Sequence, residues 1–446
     1  MNKVLNIDAE AKLFQSSAGN HLFLADGSRI FDVDQRTAEE LTDDIHRGEF
    51  PELLSDIIGL DSRYIDAKPI SPPDVKSISL NVAQSCNLSC NYCYADEGKF
   101  GGRAKLMAKE VAYAAVDRLI EDAPPNSNLL IGYMGGEPFL NRKLVHAVTE
   151  YASDAAREKG HSMRFSVTTN GTLITEKDAE LLSSNRFSVA VSIDGSKASN
   201  DSQRKFVSGR GSAYDAAIAG VDRLVERRPA HLSVRATVNP LTGYLPDMLD
   251  NLLALDVDEA GFAPVIAAPP GAPAFSEKYL QIFLSEMIEC GIKAKERAFE
   301  GEIWAFSNFH TAMQQIHRGA HMPYPCSAGA GYLSVDSDGS MYGCHRLIED
   351  PKFLFGDVKN GLNHSRRVIH LAERHVDRQK PCSTCWARYL CGGGCYHEVE
   401  NRGRIGCDYI RGWLEFCLSA YAELKHGQSS YFSDLNTNKN GVHANV

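Results

Sequence analysis

Three cysteines, Cys86, Cys90 and Cys93, are separated by three and then two residues, and Tyr92 precedes the last of them. Three thiolates this close can hold three irons of a four-iron cluster, and the sequence offers no fourth cysteine nearby. One iron would then stay open to a ligand that the protein does not supply. The alternative is a zinc knuckle, but zinc sites usually combine two Cys-x2-Cys pairs and leave no position open. The spacing therefore favours an iron–sulfur site.

This Cys-x3-Cys-x2-Cys run resembles the signature of the radical S-adenosylmethionine (SAM) enzymes. The resemblance implies that the open iron binds the methionine end of SAM. It further implies that an electron from the cluster splits SAM into a 5′-deoxyadenosyl radical, which takes a hydrogen atom from an unactivated carbon. Tyr92 is then expected to pack beside the adenine.

A Gly-Gly-Glu-Pro segment, Gly135, Gly136, Glu137 and Pro138, follows a predicted strand. Two glycines permit a close backbone approach to a ligand, and the Glu137 carboxylate can accept hydrogen bonds from an ammonium group. By itself the segment indicates a turn. Beside the cysteine run it resembles the family motif that holds the methionine amino group of SAM.

Three further residues are assigned to the SAM site by the same resemblance. Asn170 and Ser192 follow or end the next two predicted strands, where relatives approach the ribose and carboxylate of SAM. Arg204 stands where relatives carry an arginine that faces the SAM carboxylate, although a solvated surface arginine is the alternative. Asp194 is the candidate catalytic base, with a structural role in a strand-to-loop turn as its alternative.

These residues are positioned by alternating apolar strands and helical stretches in the predicted domain 73–268. The predicted strands are 77–82, 129–134, 163–169, 188–193, 232–238 and 260–264. Strand–helix repeats of this length favour an α/β fold with a parallel sheet and right-handed crossovers. Six units suit a partial (β/α)6 barrel, as in the radical SAM enzymes. The motifs fall at the carboxyl ends of the strands, where barrel enzymes place their chemistry.

Residues 1–72 have a different pattern, which predicts a small α+β domain. A β-hairpin is predicted over 20–34 and helices over 37–47 and 52–58, with a proline-rich linker at 71–73. An exposed strand edge in this domain could recognise a leader peptide by backbone pairing. The alternative is a structural cap on the barrel.

A second set of cysteines occupies residues 326–425. Its members are Cys326, Cys344, Cys382, Cys385, Cys391, Cys395, Cys407 and Cys417. The run Cys-x2-Cys-x5-Cys-x3-Cys from Cys382 closely resembles the SPASM domain, a cysteine-rich extension of peptide-modifying radical SAM enzymes. A zinc ribbon is the alternative for this run.

The SPASM resemblance implies two auxiliary four-iron clusters, and hence three clusters in the chain. One would be held by Cys382, Cys385 and Cys391, and the other by Cys326, Cys344 and Cys395. Cys407 and Cys417 are both candidates to complete them. Residues 269–325 are predicted to bridge barrel and SPASM domain, and residues 426–446 to form a flexible tail.

Residues 93–98, 106–107 and 385–395 resemble the thioether-forming maturases of short Cys-rich peptides. Residues 406–413 most resemble the maturation proteins for the small subunit of quinohemoprotein amine dehydrogenase. Those proteins join Cys sulfur to Asp or Glu side-chain carbons within a small protein. Anaerobic sulfatase maturases, which form formylglycine, are the first alternative, but they carry Asp where His345 follows Cys344. Carbon–carbon cross-linking maturases are the second alternative. An iron–sulfur electron carrier is a non-enzyme alternative, with no use for an open iron.

The composition of the chain limits the kinds of partner that it is expected to bind. The chain has 446 residues, of which 43% are hydrophobic, and a net charge of −10, which argues against nucleic acid as a partner. No secretory signal or membrane-spanning run is seen, so we expect a cytoplasmic protein whose twelve cysteines bind metal rather than form disulfides. The expected partners are a small protein or peptide substrate and an electron donor such as flavodoxin or ferredoxin.

Overall fold

The computed structural model describes residues 7–47, 54 and 68–437. Apart from Leu54, the helix predicted over 52–58 lies outside the described residues. The strands are β1 (Ala11–Ser16), β2 (Gly19–Leu24), β3 (Arg29–Val33), β4 (Ser77–Gln84), β5 (Leu88–Cys90), β6 (Lys105–Leu106), β7 (Asn128–Gly135), β8 (Ser162–Thr169), β9 (Ser188–Ser192), β10 (Arg204–Phe206), β11 (His231–Val238), β12 (Glu259–Pro264), β13 (Tyr332–Val335), β14 (Ser340–Tyr342), β15 (Leu354–Asp357) and β16 (Gly361–Leu362).

The helices are α1 (Ile7–Glu10), α2 (Gln35–Arg47), α3 (Lys109–Glu121), α4 (Arg142–Glu158), α5 (Glu176–Ser184), α6 (Lys197–Gln203), α7 (Ala213–Glu226), α8 (Leu245–Leu253), α9 (Glu277–Phe299), α10 (Ser307–His317), α11 (His364–Arg374), α12 (Arg388–Cys391), α13 (Tyr396–Arg402), α14 (Cys407–Gly427) and α15 (Ser430–Thr437). Within the described residues, no helix is long and apolar enough to cross a membrane.

The chain divides into two compact units. The first takes its described residues from Met1–Ile70, Leu280–Cys326 and Ala372–Lys439, and the second takes them from Ser71–Tyr279 and Ser327–Leu371.

The second unit is built on one sheet in which β12, β11, β9, β8, β7 and β4 are parallel neighbours in that order. This confirms the predicted α/β fold with six parallel strands. Along β8, Phe165, Val167 and Thr169 are buried, whereas Ser166 is partly exposed and Thr168 is exposed. The alternation follows from the two-residue period of a strand and separates an outer, helix-covered face from an inner one. Phe165 stacks on Phe187 at 5.1 Å in the outer core.

The sheet also continues beyond β4, which the sequence did not predict. β13 pairs with β4 in parallel, with Tyr332 opposite Ser77, and β14, β15 and β16 add antiparallel strands. Residues 332–362 fall in the region assigned to the cysteine-rich domain. Strands of two to four residues are too short to show a clear alternating pattern.

The first unit contains a three-stranded antiparallel sheet in the order β1, β2, β3. The predicted hairpin corresponds to β2 and β3, joined through Asp26–Ser28, where Gly27 has φ of +75°. β1 was missed. Helix α14 lies along it, because the Ser419 hydroxyl donates to the Gln15 carbonyl.

The tail that the sequence predicts to be flexible from residue 426 contains a helix over Ser430–Thr437. Helix α15 follows α14, and its side chains Tyr431 and Phe432 are buried. Two adjacent aromatic residues supply enough apolar surface to order a short helix against the unit.

Candidate iron–sulfur and cofactor site

The loop around β5 carries the three cysteines of the first motif. Cys86 follows β4, Cys90 ends β5, and the Cys93 N–H donates to the Cys90 carbonyl at 3.1 Å. Burial raises the pKa of Cys86 to about 12; the Leu88 N–H opposes this rise, while Glu137, Cys90 and Cys93 add to it. The structure therefore brings the three thiols and the Glu137 carboxylate within electrostatic range of each other. Three thiols that interact electrostatically have the donor type of an iron–sulfur cluster, whose protein ligands are thiolates.

Gly135 and Gly136 lie where the end of β7 touches the start of the cysteine loop. Gly135 has φ of +144°, and a Cβ on it would lie 2.4 Å from the Ala83 carbonyl oxygen. A Cβ on Gly136 would lie 2.2 Å from the Ser85 carbonyl oxygen. Any larger residue would collide with backbone, so the two glycines allow the Gly-Gly-Glu-Pro segment to pack directly against the cysteine loop.

The Glu137 carboxylate is fully buried at this junction. It accepts hydrogen bonds from the Phe139 N–H at 3.0 Å, the Thr169 hydroxyl at 2.8 Å and the Asn170 N–H at 2.8 Å. Burial raises the pKa of Glu137, and these hydrogen bonds oppose the rise. The carboxylate thus ties the turn that begins at Pro138 to the end of β8. Its contact with the ammonium group of SAM stays a prediction.

Tyr92, Asp194 and Arg204 form one buried group beside the cysteine loop. The Tyr92 hydroxyl donates to the Asp194 carboxylate, and the Arg204 guanidinium donates to the Tyr92 oxygen at 2.6 Å. The Thr237 N–H also donates to Asp194, at 2.9 Å. Arg204 is only 7% exposed, so the alternative of a solvated surface arginine is wrong.

Asn170 and Ser192 lie at the carboxyl ends of β8 and β9. The Asn170 amide donates to the Asn87 side chain at 2.9 Å and lies 3.8 Å from the Cys86 sulfur, so it contacts the cysteine loop. Ser192 pairs with Arg235 in the sheet. Their contacts with SAM stay predictions.

In the first unit, four cysteines form a second group. Its members are Cys382, Cys385, Cys391 and Cys407. Burial raises the pKa of Cys391 to about 11, and the thiols of Cys382, Cys407 and Cys385 add to that rise. The group therefore unites the Cys-x2-Cys-x5-Cys run with the start of α14, and four thiols match the number that a fully ligated cluster needs.

Two arginines lie next to this group. Arg404 lowers the pKa of both Cys382 and Cys407, against the larger effect of burial, and Arg411 interacts with Cys385 and Cys407. Cationic neighbours favour the thiolate form that binds metal. The site therefore fits an iron–sulfur cluster in charge as well as in donor type.

Cys417 has a different environment. It is fully buried on α14 between Leu414 and Leu418, which lie on the same helical face. Burial raises its pKa, and it interacts with Tyr431. Cys417 lies ten positions after Cys407, about 80° around the helix and about 15 Å along its axis, so the two thiols lie far apart. Of the two candidates, the structure brings Cys407 to the cysteine group and places Cys417 in the core.

The remaining three predicted ligands are divided between the two units. Cys326 ends a segment of the first unit, whereas Cys344 lies in the second. Cys395 precedes α13 and interacts with Tyr409, whose pKa is raised by burial and then by Glu398 and the thiols of Cys391 and Cys395. Their sharing of one cluster stays a prediction.

The imidazole of His345, which follows Cys344, is held by a hydrogen bond. Its Nδ1 lies 3.2 Å from the Tyr332 hydroxyl, which in turn lies 2.7 Å from the Ser79 hydroxyl on β4. Burial lowers the pKa of His345 to about 4. The residue that follows Cys344 is therefore a neutral imidazole.

Sequence reasoning missed Asn200 and Thr237. The Asn200 side chain accepts a hydrogen bond from the Asp194 N–H at 3.0 Å, and both residues hold Asp194 in place. Neither residue belongs to a spaced motif, and the signal lies only in the polar positions at the ends of neighbouring parallel strands.

Residues 80–255 match the family model described as the radical SAM superfamily. The matched region includes the cysteine loop and most of the parallel sheet, so this part of the chain is similar to radical SAM enzymes.

The chain is similar to enzymes that modify other proteins. The serine-type anaerobic sulfatase-maturating enzyme of Klebsiella aerogenes is 24% identical over 354 residues, which are 76% of this chain and 83% of the relative. The cysteine-type anaerobic sulfatase-maturating enzyme of Clostridium novyi is 24% identical over 77% of this chain and 96% of its own.

Solved structures share the fold. The histidine-tagged anSMEcpe with bound AdoMet has a TM-score of 0.69 at 20% identity, covering 84% of this chain and 100% of that one. Streptococcus suis SuiB bound to precursor peptide SuiA has a TM-score of 0.53 at 12% identity, covering 89% of this chain and 97% of that one.

Proposed function

We propose that this chain is a peptide maturase that links a Cys sulfur to a side-chain carbon of Asp or Glu within a small protein or peptide. The observation that carries the proposal is the pair of separate thiol groups, one of three cysteines and one of four. The group of three leaves an iron open to SAM, and the group of four fits a closed cluster that can exchange electrons only. Such a pairing suits an oxidation that leaves a surplus electron on its substrate.

In this proposal, Cys86, Cys90 and Cys93 hold the SAM-binding cluster, and Cys382, Cys385, Cys391 and Cys407 hold the first auxiliary cluster. Cys326, Cys344 and Cys395 contribute to the second, which gives three four-iron clusters. When bound, SAM and its cluster supply the radical that removes a hydrogen atom from the substrate carbon. Flavodoxin or ferredoxin is the proposed electron donor.

The link balances as follows. The substrate carbon loses one hydrogen atom, the Cys thiol loses a proton, and the sulfur bonds to the carbon. One electron is then in excess, and an oxidised auxiliary cluster held by Cys382, Cys385, Cys391 and Cys407 would supply an acceptor for it. Each link therefore removes two hydrogens from the substrate and keeps every heavy atom.

Peptide recognition is assigned to the sheet of the first unit. The side of β1 away from β2 is covered by α14, through the bonds from Ser419 to Gln15 and from the Ser17 N–H to Glu423 at 3.1 Å. Among the described residues, β3 pairs only with β2. An extended leader could therefore add a fourth strand at β3, where backbone hydrogen bonds supply affinity.

Formylglycine formation is the second candidate, because several curated relatives are named as sulfatase-maturating enzymes. The neutral His345 argues against it, since it stands in place of their carboxylate.

High-resolution mass spectrometry tests the choice. The reconstituted enzyme is incubated anoxically with SAM, a reductant and the proposed substrate, the small subunit of quinohemoprotein amine dehydrogenase, and the product is then alkylated. A loss of two hydrogens per link, with the thiol protected from alkylation, supports the thioether. The same loss with reactive thiols favours a carbon–carbon link, and exchange of sulfur for oxygen favours formylglycine. An unchanged mass beside normal SAM cleavage would refute this substrate.

A further inference from the structure

The Asp194 carboxylate has two roles in holding Arg204. Its Oδ1 lies 3.6 Å from the Arg204 Nη1, and the side chains are 0% and 9% exposed. The Tyr92 hydroxyl bridges the two, since it donates to Asp194 and accepts from the same Nη1 at 2.6 Å. The Arg204 guanidinium is therefore held by the charge of Asp194 and by a hydrogen bond to the neutral Tyr92 hydroxyl. Asp194 itself orients that hydroxyl.

Asp194 is in turn held in place by hydrogen bonds that involve backbone N–H groups. The Thr237 N–H donates to its Oδ1 at 2.9 Å, and its own N–H donates to Asn200, which is 1% exposed. Such rigid burial is unsuited to a base that must reach a substrate proton, because both carboxylate oxygens already accept hydrogen bonds. It suits a group that holds a neighbour in one orientation.

Arg204 is placed to act on the cofactor site. Its backbone pairs with Cys90 across β10 and β5, and its charge lowers the pKa of both Cys90 and Glu137 against the larger effect of burial. An anionic group that enters beside the cysteine loop will meet this cation. A guanidinium has five N–H donors, so it can serve a second carboxylate while it keeps the first.

We propose that Asp194 is the resident counter-ion of Arg204, with which the carboxylate of incoming SAM must compete. This role rests on the proposed SAM site. Asp194 is then a positioning residue that limits the affinity for SAM, and it repels the SAM carboxylate while it attracts the ammonium and sulfonium groups. The resulting loss of binding affinity is specific to ligands that carry the carboxylate.

The test compares SAM with decarboxylated SAM, which lacks only that group. Isothermal titration on the anoxically reconstituted enzyme gives the ratio of the two dissociation constants, decarboxylated SAM over SAM. In Asp194→Asn this ratio is expected to rise at least about fivefold, because a like charge is removed from near the ligand carboxylate. In Asp194→Glu the ratio should return toward the wild-type value.

Asp178→Asn is the matched control. Asp178 is also fully buried and paired with an arginine, Arg142, at 2.9 Å, but it caps α5. Its loss should leave the ratio unchanged. An unchanged ratio in Asp194→Asn, with SAM still bound, would overturn the inference, and loss of modified product alone would instead favour a catalytic base.

A measurement on the wild type covers the case in which Asp194→Asn fails to fold. Infrared difference spectra with carboxylate-labelled SAM should show a protein aspartate band that shifts when SAM binds. Absence of that shift would overturn the inference. A wild-type enzyme that binds no SAM at all would instead refute the proposed cofactor site.

Discussion

Arg388 and Glu10, which are 378 residues apart in the chain, form a buried ion pair in the first unit. The Arg388 Nη2 donates to the Glu10 carboxylate at 2.8 Å, and the side chains are 3% and 9% exposed. The same guanidinium donates to the Ala9 carbonyl and to the Cys385 carbonyl at 3.1 Å. The end of helix α1, which directly precedes β1, is therefore attached to the Cys-x2-Cys turn.

Replacing Arg388 with Met should strongly destabilise the first unit. The Glu10 carboxylate would stay buried without its partner, which costs about 3–5 kcal/mol. Thermal unfolding of the reconstituted protein, followed by circular dichroism, should show a lower melting temperature. Arg36→Met is the control, because its pair with Glu40 is exposed and screened by solvent, so its loss should change stability little. Equal melting temperatures in the two variants would contradict the prediction.

Cys407 and Cys417 should respond differently to substitution by Ala. Cys407→Ala is expected to remove one auxiliary cluster, about 4 of about 12 irons, because it belongs to the four-thiol group. Cys417→Ala should keep all the iron and lose only about 1 kcal/mol of stability, from a small cavity in the core. Iron analysis and electron paramagnetic resonance after anoxic reconstitution check this. Iron loss in the Cys417 variant alone would reverse the assignment.

Gly136→Ala should abolish SAM cleavage. Its methyl group would lie 2.2 Å from the Ser85 carbonyl oxygen, so the cysteine loop and the Gly-Gly-Glu-Pro segment would have to separate. The measurement is 5′-deoxyadenosine formation with dithionite as reductant. Gly243→Ala is the control, because nothing lies within 4 Å of an added Cβ there. Wild-type cleavage by the Gly136 variant would show that the contact is not needed.

Peptide binding at the proposed edge of β3 can be tested by substituting proline, one position at a time, for Ile30 and Phe31. The N–H groups of Ile30 and Phe31 point to opposite sides of the strand, so only one of the two prolines removes an outward donor. That variant should weaken binding of the substrate protein in fluorescence polarisation while the melting temperature stays close to wild type. The other should unfold at a lower temperature. Unchanged peptide affinity in both variants would return this sheet to a structural cap.

His321 should make stability depend on pH. Burial lowers its pKa to about 4, and its ring lies 4.0 Å from that of Tyr389. Between pH 6.5 and about 4 the unfolded chain binds a proton that the folded chain refuses, so stability falls as the pH falls. The melting temperature of His321→Asn should vary less between pH 7 and 5.5 than that of the wild type. The exposed His364→Asn serves as control, and parallel curves for all three proteins would exclude the effect.

The sequence predicted the parallel strands because a buried strand repeats every two residues and a helix every 3.6. It also located the cysteine loop, since metal ligands are crowded in sequence as well as in space. It could not choose between Cys407 and Cys417, because only the rotation of α14 decides which thiol faces the others. It missed β1 and β13, which are short and depend on pairing with distant strands.

Nor could spacing predict the environment of Asp194. Its partners Tyr92, Asn200 and Thr237 come from three separate segments, and none of them is a recognisable motif residue except Tyr92. Hydrogen bonds between segments depend on the completed sheet, and so they are visible only in the structure.

Helix α14 carries a consequence for regulation. It starts with Cys407, and further along it supports β1 through Glu415, which lies 3.1 Å from Lys12, and through Ser419. The helix that supports the proposed peptide-binding sheet would thus also supply a ligand of the proposed cluster. Linkage is reciprocal, so any substrate whose binding shifts this helix must change the affinity for iron by the same factor by which iron changes the affinity for substrate. If iron strengthens substrate binding, a precursor peptide will in turn protect its own enzyme against loss of iron.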